Sequence, residues 1–370
     1  MASERVIGVG VIGTGWIVRA HAHALHTVAH LAPLPARIRL VSVYGRREAS
    51  VAPVADELGF ERWTTDWREL VEDPEVDVVA NAGTNVLHAP VSLAALEAGK
   101  HVLCEKPLAT SVEDARAMEA AAAQAGVRAA CGFNYRFVPA VRLLHRLLHE
   151  GRLGTIRSYR GLYLQDWLSA NPDWPSHGGG GAVADYSHLL DMLRHMAGEP
   201  RSVLAHTTSF LSPTADAFQA VLELSDGGSA VLEASRCATG WKGRHRIEVE
   251  GTEGSAWWDM EDLNRLHVLF LADQREGVGG FRDVLVTEAT HPFLASWWPA
   301  GHILGWEHTF AHQWRAFLAS VLDAEEADPL QASFADGARA VELGDAVLRS
   351  AEEGRRVELA PAGANVGVEA

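Results

Sequence analysis

One stretch decides the fold of the first part of the chain: Val6-Ile-Gly-Val-Gly-Val-Ile-Gly-Thr-Gly-Trp-Ile-Val18. Residues 6–12 form an apolar, β-branched run that is typical of a buried strand, and a helical pattern begins at Trp16. Between them, Gly13 permits a tight turn, and Gly15 lets the backbone approach a bound pyrophosphate. The N-terminus of the helix supplies free N–H groups and a positive dipole end. The stretch therefore predicts a dinucleotide-binding turn.

The segments that follow alternate between strand and helix patterns with short connections. Strands are predicted at 38–44, 76–82, 101–104 and 127–132, and helices at 16–29, 49–58, 66–71, 89–98 and 111–125. Such alternation builds parallel βαβ units, so residues 1–133 are predicted to form a Rossmann domain with a doubly wound parallel sheet.

Beyond residue 133 the rhythm changes to consecutive strands, which favour antiparallel pairing. We predict an α/β protein whose second domain, over 134–360, is an α+β domain with an open, mostly antiparallel sheet. Residues 361–370 are predicted to be a flexible tail. Strands are predicted at 156–164, 203–210, 217–224, 228–235 and 245–250, and helices at 140–150, 185–196, 307–322 and 334–352.

Composition excludes several functional classes. Of the 370 residues, 48% are hydrophobic and 22% are charged, and the net charge is −16. This acidic balance argues against nucleic-acid or anionic-membrane partners. The first residues lack the layout of a signal peptide, and no apolar run is long enough to span a bilayer, so a cytoplasmic protein is expected.

A metal cofactor is not expected. The three cysteines, Cys104, Cys131 and Cys237, are too widely spaced for a disulfide framework or a zinc site. Two groups of histidines lack the acidic or thiol partners of a strong metal site. These groups are His21, His23, His26 and His30 on the first helix, and His308 with His312.

The end of the second predicted strand bears on the choice between NAD and NADP. An NAD enzyme often carries Asp or Glu there to bind the ribose 2′-hydroxyl. Here the chain reads Val43-Tyr44-Gly45-Arg46-Arg47. Guanidinium groups bind a 2′-phosphate bidentately, so NADP is favoured and NAD is the alternative. Two solvated surface arginines are the plainer interpretation of the same residues.

Several segments together resemble one known family, the Gfo/Idh/MocA oxidoreductases, which include glucose-fructose oxidoreductase and inositol dehydrogenase. The resemblance extends over about residues 5–350. It implies a Rossmann domain, a second domain whose open sheet serves contacts in a homodimer or homotetramer, and sugar, polyol or nucleotide-sugar substrates. The segments are His88-Ala89-Pro90, residues 94–108 with Glu105-Lys106-Pro107, residues 132–137, residues 178–191 with Asp185-Tyr186-Ser187-His188, and residues 291–310.

Three positions depart from the family pattern. Val18 stands where the fingerprint usually has Gly or Ala, and Gly83-Thr84-Asn85 replaces a common Thr-Pro-Asn. The usual Asp-x-x-x-His spacing is one residue shorter here, from Asp185 to His188. The last departure leaves open whether Asp185 occupies the usual position.

The chemistry of alcohol oxidation assigns roles to a few residues. Lys106 follows a strand at the edge where open α/β sheets bind ligands, and its ammonium can stabilise an alkoxide or polarise a ketone. His188 can exchange the proton near neutral pH. Asp185 and Asp191 each lie three residues from His188, so all three are predicted to share one helical face. Asp185 is the stronger candidate, as a partner of the substrate or of the histidine, and Asp191 is the weaker one. Which carboxylate partners the histidine stays open, and an exposed lysine with a packed histidine is the plainer alternative.

Motif and resemblance imply further contacts with cofactor and substrate. Tyr135 as a core residue and Arg136 as a structural ion pair are alternatives of equal weight. Tryptophan rings suit the C–H faces of sugars. The predicted cofactor contacts are Gly13, Thr14, Gly15, Trp16, Ile17, Arg46, Arg47, Asn85, His88, Glu105, Lys106, Asn134 and Arg136. The predicted substrate contacts are Lys106, Tyr135, Trp174, Asp185, His188 and His302.

These observations predict an NAD(P)-dependent dehydrogenase or reductase. It would move a hydride between nicotinamide and a secondary hydroxyl or ketone of a sugar, anhydrosugar or cyclitol. Two alternatives stay open: a glycoside-processing enzyme that cycles a retained cofactor, and a non-catalytic dinucleotide-binding regulator. Reduction of a tetrapyrrole or an imine fits the fold but suits the Asp–His arrangement less well.

Overall fold

The structure, a computed structural model, describes residues 5–31, 34–171, 181–323 and 327–361. The chain divides into two compact units, each built from segments that are distant in sequence. The first unit combines the N-terminal segment through Phe137 with Phe293–Pro299 and Leu304–Val341. The second combines Val138–Pro292, Ala300–Ile303 and the segment that begins at Glu342. The limits 1–133 and 134–360 remain a prediction.

Strands and helices alternate at first, and strands dominate later. The strands are β1 (Val6–Ile12), β2 (Arg37–Tyr44), β3 (Arg62–Thr64), β4 (Val78–Asn81), β5 (His101–Cys104), β6 (Ala129–Cys131), β7 (Ile156–Leu164), β8 (Pro200–Thr208), β9 (Ala217–Leu224), β10 (Ser229–Ser235), β11 (Arg244–Gly251), β12 (Gly254–Asp259), β13 (Arg265–Phe270), β14 (Arg282–Leu285) and β15 (Val357–Glu358). The helices are α1 (Trp16–Leu31), α2 (Glu48–Leu58), α3 (Trp67–Glu72), α4 (Asn85–Glu97), α5 (Val112–Gln124), α6 (Pro139–His149), α7 (Trp167–Ala170), α8 (Gly181–Asp185), α9 (Ser187–Ala197), α10 (Leu271–Arg275), α11 (His308–Val321) and α12 (Phe334–Glu353).

The first unit is centred on a six-stranded sheet in the order β3-β2-β1-β4-β5-β6, with parallel pairing throughout. Successive side chains of a strand point to opposite faces, so each face has its own core. Val9 and Val11 of β1 pack with α1, α2 and α11, whereas Ile12 packs with α3, α4, α5 and the start of α12. The strand order reverses between β1 and β4, which is where doubly wound sheets bind ligands.

The second unit contains a nine-stranded sheet in the order β14-β13-β12-β11-β7-β10-β9-β8-β15. All neighbours pair antiparallel except β7 and β10, which are parallel. Gly161 of β7 lies against α9, because a Cβ at this position would come within 2.7 Å of Leu189 Cδ1. This absence of a side chain lets the helix approach the sheet closely.

The predicted fold class is confirmed: a parallel Rossmann sheet accompanies a mixed, mostly antiparallel sheet. The sequence reading missed the short strands β3, β12, β13, β14 and β15. It was also wrong to predict one helix over 185–196, because Tyr186 leaves the helical conformation (φ −102°, ψ 28°) between α8 and α9. None of the helices in the described ranges is long and apolar enough to cross a membrane.

Candidate active site

The turn after β1 has the geometry that a dinucleotide requires. Gly13 has φ +114°, and a Cβ there would lie 2.6 Å from the carbonyl oxygen of Ala82, so only glycine fits without a shift. A Cβ on Gly15 would meet no atom within 4 Å, so open space faces this residue at the start of α1. The first turn of α1 carries no acidic side chain. Open space and a free helix N-terminus suit a pyrophosphate.

Neighbouring residues of this turn divide between core and surface. Val18, the departure from the fingerprint, is completely buried in the core between helix and sheet. Trp16 is 64% exposed, and its ring lies 5.8 Å from that of Trp306. Ile17 packs against the core. An aromatic surface therefore flanks the predicted pyrophosphate position.

The end of β2 lies beside the same turn. A Cβ on Gly45 would come within 2.5 Å of Thr14 Cγ2, so the two loops are in close contact. Arg46 and Arg47 are both exposed. The carbonyl oxygen of Arg47 accepts hydrogen bonds from the first turn of α2. The two guanidinium groups are thus carried by the loop that follows β2, as the sequence predicted.

The segment after β5 is anchored by buried polar groups. Nδ1 of the buried His88 donates a hydrogen bond to the carbonyl oxygen of Pro107 at 2.7 Å, and burial lowers the pKa of this histidine. Lys106 is half-buried and precedes Pro107 through a cis peptide bond. Asn85 is the half-buried first residue of α4. His88 therefore acts on the Lys106–Pro107 segment through its main chain.

Glu105 lies on the inner side of this segment and is 6% exposed. Its Oε2 accepts a hydrogen bond from the backbone N–H of Lys106 at 3.2 Å, and its Oε1 lies 3.0 Å from His21 Nε2. Burial raises the pKa of Glu105, but the hydrogen bond from His21 and the positive charge of Lys106 outweigh it, so the pKa is lowered. A buried carboxylate is therefore held beside Lys106.

The three residues Asn134, Tyr135 and Arg136 lie in a short 3-10 helix of the first unit and are all buried. Asn134 Nδ2 donates to the Thr309 hydroxyl at 2.8 Å. Arg136 is bonded to the carbonyl oxygen of Leu330 and forms an ion pair with Asp336 at 3.2 Å. The burial of Tyr135 and the contacts of Arg136 favour the structural alternatives for these two residues, and their cofactor and substrate roles stay predictions.

In the second unit, His188 and Asp191 lie on α9 and are both buried. Asp191 lies near Tyr159 of β7. The burial of Tyr159 and the charge of Asp191 together raise the pKa of this tyrosine. Asp185 ends the separate helix α8. The prediction that Asp185 shares the face of one helix with His188 and Asp191 is therefore wrong, because the helix is interrupted at Tyr186.

Asp185 has a partner that the sequence reading missed. Arg236, at the end of β10, donates to Asp185 Oδ2 at 3.1 Å and to Asp216 Oδ1 at 2.7 Å. Asp216 also accepts from Leu211, Ser212 and Phe210, and these bonds outweigh burial and lower its pKa to about 2. An ionised, buried Asp216 thus fixes Arg236, and Arg236 holds the half-exposed carboxylate of Asp185.

The remaining candidates are scattered. Trp174 lies outside the described residues, and His302 is exposed. His312 uses both nitrogens: Nε2 accepts from Trp297 Nε1 at 2.7 Å, and Nδ1 lies 2.9 Å from the Phe137 carbonyl oxygen. It therefore offers no lone pair to pair with His308 in a metal site. In the described ranges, no group of three or more His, Cys, Asp or Glu residues could hold a metal ion.

Comparison with known proteins identifies the family. A family model described as oxidoreductase family, NAD-binding Rossmann fold, matches residues 7–133, and the model of the Gfo/Idh/MocA C-terminal domain matches residues 141–257. The chain belongs to the Gfo/Idh/MocA oxidoreductase family. The predictions of this family and of an oxidoreductase with a Rossmann domain for a nicotinamide dinucleotide are confirmed.

Similarity to individual family members extends over nearly the whole chain. Levoglucosan dehydrogenase of Pseudarthrobacter phenanthrenivorans is 34% identical over 93% of this chain and 96% of its own length. The structure of an oxidoreductase domain protein from Kribbella flavida has a TM-score of 0.91 at 37% identity, covering 96% of this chain and all of the other. A structure of levoglucosan dehydrogenase with NADH and levoglucosan has a TM-score of 0.91 at 33% identity, covering 96% of this chain and all of the other.

Proposed function

We propose that this protein oxidises a secondary hydroxyl of a sugar or anhydrosugar by hydride transfer to a nicotinamide dinucleotide, with levoglucosan as the first candidate. The observation that carries the proposal is the 34% identity to levoglucosan dehydrogenase over 93% of the chain, which includes the Glu105-Lys106-Pro107 segment. Other members of the family act on sugars and cyclitols, among them D-xylose and myo-inositol. These remain substrates to be tested.

The residues of the first unit hold the cofactor and polarise the substrate in this proposal. When bound, nicotinamide supplies the hydride acceptor. Gly13, Gly15 and the N-terminus of α1 bind the pyrophosphate, because open space faces Gly15 and the N-terminus of a helix attracts an anion. The ammonium of Lys106 stabilises the negative charge that develops on the substrate oxygen. Its main chain is anchored by Glu105 and, through Pro107, by His88.

The residues of the second unit move the proton in this proposal. His188 accepts the hydroxyl proton, since an imidazole exchanges protons near neutral pH. Asp191 is fully buried on the same helix three residues away, a spacing that suits orientation of the imidazole. Asp185 is half-exposed and fixed by Arg236, so we assign it to a substrate hydroxyl. This assignment gives the two carboxylates different roles, whereas the sequence ranked Asp185 above Asp191 and left open which one partners His188.

We also propose that NADP(H) is the preferred cofactor and that NAD(H) is accepted. No Asp or Glu stands at residues 44–47 to bind a ribose 2′-hydroxyl. Arg46 and Arg47 are exposed on the loop that contacts the pyrophosphate turn, where their charge can attract a 2′-phosphate. The levoglucosan dehydrogenase complex contains NADH, so both cofactors belong in every assay.

The test is a steady-state screen of levoglucosan, D-xylose and myo-inositol with each cofactor, followed by variants. We expect Lys106→Met and His188→Gln each to lower kcat by about 100-fold or more, while NADPH binding, followed by fluorescence, stays within about twofold. Lys242→Met is the control, because this exposed lysine pairs with Asp166. Cofactor binding without turnover would favour a regulator, and a retained cofactor without net reduction would favour a redox-cycling enzyme.

Self-association through the nine-stranded sheet is a further part of the proposal. Leu204, Val221 and Val231 are 42%, 50% and 44% exposed. They lie side by side, since Leu204 pairs with Val221 across β8 and β9, and Val221 pairs with Val231 across β9 and β10. An exposed apolar row is typical of an interface. Light scattering of the wild type and of Val221→Glu tests it: we expect the variant to dissociate, and an unchanged mass would exclude this face.

A further inference from the structure

Three residues of the first unit form a buried polar chain behind Lys106. Trp314 Nε1 donates a hydrogen bond to His21 Nδ1 at 2.9 Å, and His21 Nε2 lies 3.0 Å from Glu105 Oε1. Trp314 is completely buried, His21 is 1% exposed and Glu105 is 6% exposed. The rings of Phe310 and Trp314 stand edge-on to the imidazole, with centroids 5.3 and 5.8 Å away. The imidazole of His21 therefore lies between two aromatic rings, away from solvent.

The chemistry of these atoms fixes where the protons are. An indole N–H can only donate, so Nδ1 of His21 must present its lone pair to Trp314. The single ring proton of His21 then lies on Nε2 and is donated to Glu105. His21 is accordingly neutral and in one tautomer, and Glu105 carries the negative charge among these three hydrogen-bonded residues.

The carboxylate is also fixed on its other sides. Oε2 of Glu105 accepts the backbone N–H of Lys106 at 3.2 Å. The backbone of Gly132 packs against the carboxylate, because a Cβ there would lie 2.9 Å from Oε1. The backbone N–H of Glu105 is bonded to the carbonyl oxygen of Asn81 on β4. Rotation of the carboxylate would therefore break the bond to the residue that carries the catalytic ammonium.

We propose that His21 and Trp314 are positioning residues for the reaction. Trp314 selects the tautomer of His21, His21 orients the Glu105 carboxylate, and Glu105 holds the main chain of Lys106 so that its ammonium is directed at the reacting oxygen. The inference rests on the proposed function, since it assigns the orientation of that function's lysine. A merely structural role would predict losses of stability and cofactor binding instead of a selective loss of turnover.

The variants are chosen by which hydrogen bonds they keep. His21→Gln keeps both, because an amide oxygen can accept from Trp314 and an amide N–H can donate to Glu105. His21→Leu removes both, and Trp314→Phe removes only the bond that selects the tautomer. His26→Gln is the matched control, since His26 is an exposed histidine of the same helix whose Nε2 is bonded to the Leu58 carbonyl oxygen.

Turnover is the first readout. We expect His21→Leu to lower kcat by about tenfold or more, because small displacements of a catalytic group are costly, and Trp314→Phe to lower it by a smaller factor. KM and NADPH binding should stay within about twofold, and His21→Gln should restore kcat to near the wild-type value. Equal kcat in all variants would overturn the proposal. A parallel loss of folding and cofactor binding in both His21 variants would also overturn it, in favour of a structural role.

Spectroscopy separates this inference from the proposed function. Nitrogen NMR of histidine-labelled protein should show Nδ1 unprotonated and Nε2 protonated for His21, the resonance that is lost in His21→Gln. Carbon-labelled lysine should give a Lys106 Cε signal, assigned by its loss in Lys106→Met, that moves in His21→Leu and stays in His21→Gln. Absence of turnover on every sugar with these two signatures present would reject the proposed substrate class alone. A Lys106 signal unmoved in His21→Leu would reject the positioning chain.

Discussion

The sharpest prediction concerns Arg236, which is 2% exposed and links two carboxylates of the second unit. Its guanidinium lies 2.7 Å from Asp216, whose side chain has no exposed surface, and 3.1 Å from the half-exposed Asp185. The same nitrogen that binds Asp216 also donates to the carbonyl oxygen of Ala215 at 3.2 Å. Arg236→Met keeps most of the apolar stem of the side chain and removes the charge and every one of these donors.

The expected loss of stability in Arg236→Met follows from the buried charge of Asp216, which the substitution leaves uncompensated. Removing one partner of a buried ion pair costs about 3–5 kcal/mol, because the other charge stays buried and uncompensated. Asp216 keeps hydrogen bonds from the backbone N–H groups of residues 210–212 and from the Ser212 hydroxyl. We therefore expect a loss at the lower end, about 3 kcal/mol in the free energy of unfolding. Neutralising the second charge in Arg236→Met/Asp216→Asn should recover about 1–2 kcal/mol, which is a typical coupling energy for such contacts.

Urea unfolding followed by circular dichroism measures the stability, and steady-state kinetics measures the consequence for Asp185. The control is Arg160→Met, since Arg160 forms an exposed pair with Glu250 at 2.7 Å and should cost less than about 1 kcal/mol. We expect the double variant to regain stability while its kcat stays low, because Asp185 still lacks its partner. If Arg236→Met loses no more stability than Arg160→Met, or if the double variant is simply additive, the buried-charge reasoning is refuted.

Three further predictions test the cofactor site and the core. Arg46→Ala should raise KM for NADP⁺ by about tenfold, which corresponds to the loss of one charge-assisted hydrogen bond, and should leave KM for NAD⁺ nearly unchanged. An equal rise of KM for both cofactors would contradict the assignment of Arg46 to the 2′-phosphate. Gly15→Ala should leave the apo-protein as stable as the wild type, because its Cβ meets nothing within 4 Å, but it should weaken NADPH binding. Gly13→Ala should reduce both the stability and the NADPH binding. Unchanged NADPH binding in Gly15→Ala would exclude a pyrophosphate at this turn. Burial lowers the pKa of His245 to about 3, whereas in the unfolded chain this imidazole keeps its ordinary pKa. The unfolded state therefore takes up a proton at a higher pH than the folded state, and the free energy of unfolding falls as the pH drops below that ordinary pKa. Between about pH 7.5 and about pH 5 this fall should be about 2 kcal/mol, and the total fall over the same interval should be about 2 kcal/mol smaller in His245→Leu than in the wild type.

The parallel sheet was predictable because its signals are local. The apolar run of β1, the glycines behind it and the caps of the helices each occupy a few neighbouring residues, and each was located to within a few positions. The start of α4 was placed at residue 89, four residues late, because Asn85 and the residues after it carry no clear local signal for the start of a helix. The strands β3 and β15 have three and two residues, too few for a periodic pattern to appear.

Asp185 illustrates why helical spacing alone was misleading. Its distance of three residues from His188 fits one helix, yet α8 ends at Asp185 and α9 begins at Ser187. The reason lies elsewhere in the sequence: Gly181 has φ +57° with its backbone against Ala215, and the hydroxyl of Tyr186 donates to the carbonyl oxygen of Ser235. Both contacts involve residues more than 30 positions away, so no pattern within residues 181–197 could have indicated the break.

The polar partners of the site obey the same logic. A buried carboxylate needs a partner that compensates its charge. The sequence could therefore have indicated that an aspartate next to an apolar strand has such a partner, as Asp216 has just before β9. The sequence could not have indicated which residue is the partner, because every arginine of the chain offers the same chemistry. The register of the sheet selects one of them: residue 217 of β9 pairs with residue 235 of β10, and this pairing brings Arg236 beside Asp216. His21 and Trp314, 293 positions apart, are matched in the same way by the packing of α11 on α1. Motifs therefore predict which groups perform chemistry, while the partners of those groups are selected by contacts that exist only after folding.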